Sequence, residues 1–118
     1  MYASGAWRGY WEQEGYGRGV MDPLTLRFEA GQIQGEGYDV VGTFTFAGRY
    51  EDSGRVFLVK HYIGAHEVMY VGQSDGEGTI YGEWQIGSDF RGPFALSPMR
   101  DEAVADLPIL RVGAPQPD

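Results

Sequence analysis

A single closed, antiparallel, all-β meander barrel of about eight strands is the fold this sequence predicts. Three observations predict it. Apolar and polar residues alternate with period two through most of the first 98 positions, the connections between alternating stretches are short and rich in turn residues, and no stretch of ten residues keeps helical spacing without an interrupting glycine. Glycine supplies 19 of 118 residues, and many of these sit inside the alternating stretches. Such positions weaken a flat sheet, but in a small barrel they permit sharp coiling and close backbone approach.

The first strand is expected over 6–13, where Trp7 and Trp11 share one face. The second, over 20–30, points Leu24, Leu26 and Phe28 inward, and Ala30-Gly31 turns it into the third, over 32–37, with Ile33 inside. The fourth is expected over 40–51, with Phe44, Phe46 and Tyr50 inside and Asp39 at its start. Glu51-Asp52-Ser53-Gly54 leads to the fifth, over 55–63, and Ile63-Gly64-Ala65 leads to the sixth, over 66–73. Ser74-Asp75-Gly76-Glu77 precedes the seventh, over 78–87, whose Ile80, Trp84 and Ile86 face in while Thr79, Glu83 and Gln85 face out. Gly87-Ser88-Asp89 turns into the eighth, over 91–98, with Phe94 and Leu96 inside. Short links throughout pair each strand with the next. Residues 1–98 therefore form one domain. From Met99 alternation stops and prolines accumulate, so 99–118 reads as a tail, with a helical turn over 101–106 and Leu107, Ile109 and Leu110 docking part of it.

Composition excludes several classes of function. With 17 acidic against 9 basic side chains, a net charge of −8 and no basic run, the chain lacks the clustered lysine and arginine that release counterions from nucleic acid, and an anionic membrane surface would repel it. It has no cysteine, hence no disulfide, thiol nucleophile or thiolate metal site. Neither a positive leading region with an apolar run nor a stretch of ~20 apolar residues is present, so a soluble, cytoplasmic protein is expected. No glycine-rich loop leading into a helix occurs, which removes phosphate cradling.

Strands five and six are apolar on both faces. One face carries Val56, Leu58, Lys60 and Tyr62 and continues through Gly64 to His66, Val68, Tyr70 and Gly72; the other carries Phe57, Val59, His61, Ile63, Met69 and Val71. The first is taken as inward because its glycines make room, although a one-residue shift at Asp52-Ser53-Gly54 would reverse every side chain and leave Lys60 and Tyr62 as ordinary surface. Turned inward, Asp39, Lys60, Tyr62, His66 and Tyr70 gather at one end of the barrel, with Trp84 or Trp11 as a floor. Lys60 and a protonated His66 would be charge partners and the tyrosines rigid donors, a set suited to a small polar or anionic ligand. Asp39 and Lys60 would also compensate one another. The odd spacing of His61 and His66 puts the two histidines on opposite faces, so no metal site is expected, and no cofactor.

The order of motifs resembles the calycin group, lipocalin-like in outline, and within it the avidin-like barrels. GAW near the start is similar to their Gly-x-Trp opening, GQIQG to their second hairpin, FAGRYEDSG to their Gly-Arg-Tyr-Asp segment, and TIYGEWQIG to their strand ending in tryptophan. The resemblance, over about residues 5–98, implies an eight-stranded up-and-down barrel with a ligand pocket at one mouth and Trp84 as a pocket aromatic. It does not imply biotin binding, because Gly37 stands about where an aromatic-serine pair belongs and strands five and six hold no tryptophan.

A non-catalytic small-molecule-binding barrel is thus expected, with Asp39, Lys60, Tyr62, His66, Tyr70 and Trp84 lining the site. The alternative is a filled barrel that associates with a copy of itself or another chain through Phe57, Val59, Ile63, Met69 and Val71. A third reading is an isomerase or cyclase with His66 or Asp39 as general base and a tyrosine as acid.

Overall fold

In the computed structural model, which describes residues 2–99, the alternating stretches form eight strands. They are β1 (Gly5–Gln13), β2 (Gly17–Glu29), β3 (Gln32–Asp39), β4 (Gly42–Tyr50), β5 (Val56–Tyr62), β6 (Glu67–Ser74), β7 (Ile80–Ile86) and β8 (Phe90–Pro98). Each pairs antiparallel with the next, and β1 pairs with β8 from Trp7↔Pro98 to Trp11↔Phe94, which closes the barrel and leaves no free edge. No helix occurs among the described residues. The tail expected over 99–118 lies, Met99 apart, outside them.

Where strand boundaries depart from alternation, side-chain hydrogen bonds explain the difference. Val40 and Val41 read as strand because both are β-branched, yet they form the exposed tip of the β3–β4 hairpin. Asp39, which ends β3 instead of starting β4, accepts the Val41 N–H through Oδ1 at 2.9 Å and makes the turn. Likewise the Asp75 carboxylate accepts the N–H groups of Glu77 (2.7 Å) and Thr79 (3.1 Å), so β7 starts at Ile80 and not at 78. At the first hairpin β2 begins earlier than expected, at Gly17.

One irregularity matters for the site. Trp7 pairs with Leu24 but Gly9 pairs with Met21, so Asp22-Pro23 bulges opposite Arg8. A proline without an N–H is tolerated where the ladder is interrupted. Met21 and Leu24, three residues apart, consequently both face the interior, and Met21 is fully buried.

The core contains the positions that alternation turns inward: Trp7, Trp11, Leu24, Leu26, Ile33, Phe44, Phe46, Phe94 and Leu96 are buried, with Phe28, Tyr50 and Ile86 packed against them. On strands β5 and β6 the inward face is that of Val56, Leu58, Lys60, Tyr62, Val68 and Tyr70. The opposite face holds half-buried Phe57, Val59 and Val71 and exposed Ile63 and Met69. Arg49 and Arg55 lie 4.4 and 5.3 Å from the Phe57 ring and cover part of it.

The two ends of the barrel differ. Tyr2, ahead of β1, plugs one of them: its hydroxyl donates to the Gly54 carbonyl at 2.5 Å, and its ring packs on Trp7, Phe28 and Tyr50. The turns β1–β2, β3–β4, β5–β6 and β7–β8 surround the other end.

Candidate functional site

Below those four turns lies a buried polar network that draws on five strands. β3 brings Asp39, β5 brings Lys60 and Tyr62, β6 brings Tyr70, β1 brings Trp11 and β2, through its bulge, brings Met21. Lys60, the only lysine of the chain, has no exposed surface. An isolated ammonium there would cost several kcal/mol in lost hydration, so its partners decide whether it can be charged. Its Nζ donates to Asp39 Oδ2 at 2.6 Å, to the Tyr70 hydroxyl at 3.2 Å and to Met21 Sδ at 3.4 Å. The rings of Phe44 and Tyr62, 4.2 and 4.7 Å from Nζ, add their negative faces.

Asp39 is saturated. Besides the Lys60 bond, Oδ2 accepts from the Tyr62 hydroxyl at 2.7 Å and from Trp11 Nε1 at 3.1 Å, while Oδ1 holds the Val41 N–H. Burial alone would raise its pKa, but the hydrogen bond and charge of Lys60, with the Tyr62 and Trp11 bonds, outweigh burial and hold it below the ordinary carboxylate value. Burial depresses the Lys60 ammonium to about 8 against the opposing pull of Asp39. At neutral pH the pair is ionic. Burial first pushes both Tyr62 and Tyr70 upward, helped at Tyr62 by its hydrogen bond to Asp39 and then by the Asp39 charge, and at Tyr70 by the Asp39 charge; both are neutral phenols.

Above this network is a cavity of about 60 Å³, partly open to solvent. Trp11, Tyr62, Tyr70 and Trp84 form its aromatic wall and Val68 and Ile86 its aliphatic part. Gln13 reaches it from the end of β1, and Val41 and His66 from the turns. Trp84 Nε1 donates to the Glu12 carbonyl at 2.8 Å, which fixes the indole plane against the wall.

Of the six residues expected to line a site, Asp39, Lys60, Tyr62 and Tyr70 form one hydrogen-bonded unit, and Trp84 joins them only as a wall of the cavity. His66 does not join. It is exposed, outside the strands, with its ring centroid 5.2 Å from that of Tyr62, and it lines the cavity from the rim instead of entering the buried unit. Parity counted from Lys60 carries through the 63–66 turn, for the Tyr62 N–H donates to the His66 carbonyl at 3.2 Å and Val68 and Tyr70 beyond it are buried, so His66 shares the face of Tyr62 but stands exposed at the rim of the cavity. The other histidine, His61, lies 3.1 Å from Glu67 on the outer face. Among the described residues no group of three or more metal-ligating side chains assembles. Met21 was hidden from alternation by the bulge, and only the Asp22-Pro23 dipeptide signals it.

Neither a known family model nor any curated protein sequence matches this chain. Chemically, both Asp39 oxygens are engaged and the Lys60 charge is matched. What faces the cavity is aromatic and aliphatic surface, the phenol of Tyr70 and, toward the mouth, Gln13 and His66.

Proposed function

We propose that this protein binds a small molecule, without transforming it, in the cavity at the turn-ringed mouth of the barrel. The observation that carries this reading is the contrast between the ends: one is closed by Tyr2 and its aromatic neighbours, whereas the other keeps an aromatic-walled cavity above a fixed polar floor. Binding without catalysis fits the floor, because Asp39 has no oxygen left to take a proton and His66 has no partner among the described residues to orient it as a base. The likeness of GAW, GQIQG, FAGRYEDSG and TIYGEWQIG to avidin-like barrels favours the same mouth, with Trp84 on its wall. The ionic pair works as scaffold: Lys60 is turned to Asp39 and does not border the cavity.

Trp11 and Trp84 make the site its own reporter. Titration with a panel of small aromatic and aliphatic fragments is expected to change tryptophan fluorescence and, at ten times the dissociation constant, to stabilise the fold by about 1.4 kcal/mol, a rise in Tm of roughly 5 °C. Val68→Phe, which fills the cavity, should abolish the response. A panel that moves neither signal, or a response that survives Val68→Phe, contradicts the reading.

A further inference from the structure

One hydrogen in the buried network has no acceptor. Tyr70 is 1% exposed, its oxygen accepts from Lys60 Nζ at 3.2 Å, and among the described residues this is the only hydrogen bond at that hydroxyl. Lys60, an ammonium held by Asp39 at 2.6 Å, has no lone pair to return. The phenol hydrogen is therefore left over on a ring that lines the cavity. A buried donor without a partner is unfavourable, and a molecule entering the cavity relieves it by bringing an acceptor.

Three features restrict that molecule. Its head is uncharged: the Lys60 charge is already matched and the polar Gln13 and His66 line the cavity only from its turn-ringed end, so a carboxylate carried down to Tyr70 would lose its hydration among aromatic and aliphatic walls for that phenol, and a cation would find both Asp39 oxygens engaged. Its head is small, because about 60 Å³ is well under half of the ~150 Å³ that houses a benzene ring in an engineered apolar cavity. Its remainder is apolar, since it must leave through the mouth, and there Tyr16, Val40, Val41, Ile63 and Phe90 stand exposed on or beside the turns. The mouth turns also carry the acids Glu14 and Asp89, while those at the plugged end carry Glu51, Asp52, Asp75 and Glu77.

We infer that the ligand is a neutral carbonyl compound with an apolar body, its oxygen accepting the Tyr70 hydrogen while Lys60, positioned by Asp39, polarises that hydroxyl. This rests on the cavity being a small-molecule site. A hydrogen bond donated by a phenol whose oxygen already accepts from an ammonium is strengthened by that second bond. The same arrangement discriminates against alcohol-free hydrocarbons of equal size, which would leave the hydroxyl unmatched.

Acetophenone, ethylbenzene and benzoate are close in size and differ in the head: neutral acceptor, no acceptor, anion. Titrated into the full chain at pH 7 and followed by amide chemical shifts, acetophenone is expected to bind at least about fivefold tighter than ethylbenzene, with benzoate the weakest. The carbonyl stretch of bound acetophenone should move to lower wavenumber. In Tyr70→Phe the two neutral probes should bind within about twofold of each other. If that variant does not fold, the wild-type ratio and the carbonyl band decide by themselves. Equal binding of acetophenone and ethylbenzene with an unshifted carbonyl, or benzoate as the tightest probe, overturns the inference and leaves the cavity as a binding site. No shift at cavity residues with any of the three overturns the site itself.

Discussion

Asp39→Ala is expected to lower folding stability by about 3–5 kcal/mol, because it removes the only carboxylate that, among the described residues, faces a fully buried ammonium. The loss has several parts. Lys60 must either keep an unmatched charge or give up its proton, and the hydroxyl of Tyr62, the indole of Trp11 and the N–H of Val41 each lose their acceptor. Lys60→Met leaves those three donors in place on the carboxylate and should cost less than Asp39→Ala. The combination Asp39→Asn with Lys60→Met removes both charges while keeping shape and an acceptor, and should return to within about 2 kcal/mol of wild type. Urea denaturation followed by tryptophan fluorescence orders the four proteins. With Asp39→Asn measured alone as well, costs of Asp39→Asn and Lys60→Met that simply add in the double variant would mean that the two groups are not coupled.

The second large effect is steric. A Cβ at Gly48 would collide with the backbone carbonyl of Phe57 and the Cα of Leu58 on the paired strand β5, neither of which can rotate away. Gly48→Ala must therefore push β4 from β5 where the two backbones approach closely, with an expected loss of about 3 kcal/mol. Gly64→Ala makes the contrast, for its Cβ meets nothing within 4 Å and its only penalty is the φ of +76°, about 1 kcal/mol. Equal losses at the two positions would argue against close strand approach at Gly48.

These two positions also show which parts of the molecule could be read from the chain. Glycines inside alternating, aromatic-rich stretches are intelligible only if something needs the space, and at Gly48 that something is a neighbouring backbone. Lys60 was legible as an interior residue because it keeps the parity of Val56, Leu58 and Tyr62, and parity within a strand is a geometric rule that one polar side chain does not break. Its pairing with Asp39 was legible from the cost of burying charge. Parity gives a face and not a depth: His66 keeps the parity of Tyr62 and Val68 and lines the cavity, yet it stands exposed at the rim, outside the hydrogen-bonded unit, while the β-branched Val40-Val41 looked like strand. Parity is lost at a bulge, and so the role of Met21 beneath Lys60 stayed hidden. Tyr2 precedes any alternating stretch and has no pattern to betray it as a plug. The cavity is a difference between the volume enclosed by eight strands and the volume of the side chains within, a quantity that no local pattern encodes.

Everything proposed for the mouth depends on Lys60 being a buried ammonium held by Asp39, since only then is the Tyr70 hydrogen left over. Because Lys60 is the sole lysine, its side-chain nitrogen is self-assigning in a ¹⁵N-lysine-labelled sample. The expected result is one ammonium signal at neutral pH, slow to exchange with solvent, that titrates near pH 8. A rapidly exchanging signal that titrates near the ordinary lysine value of about 10.4 would place this amine in water and contradict the account.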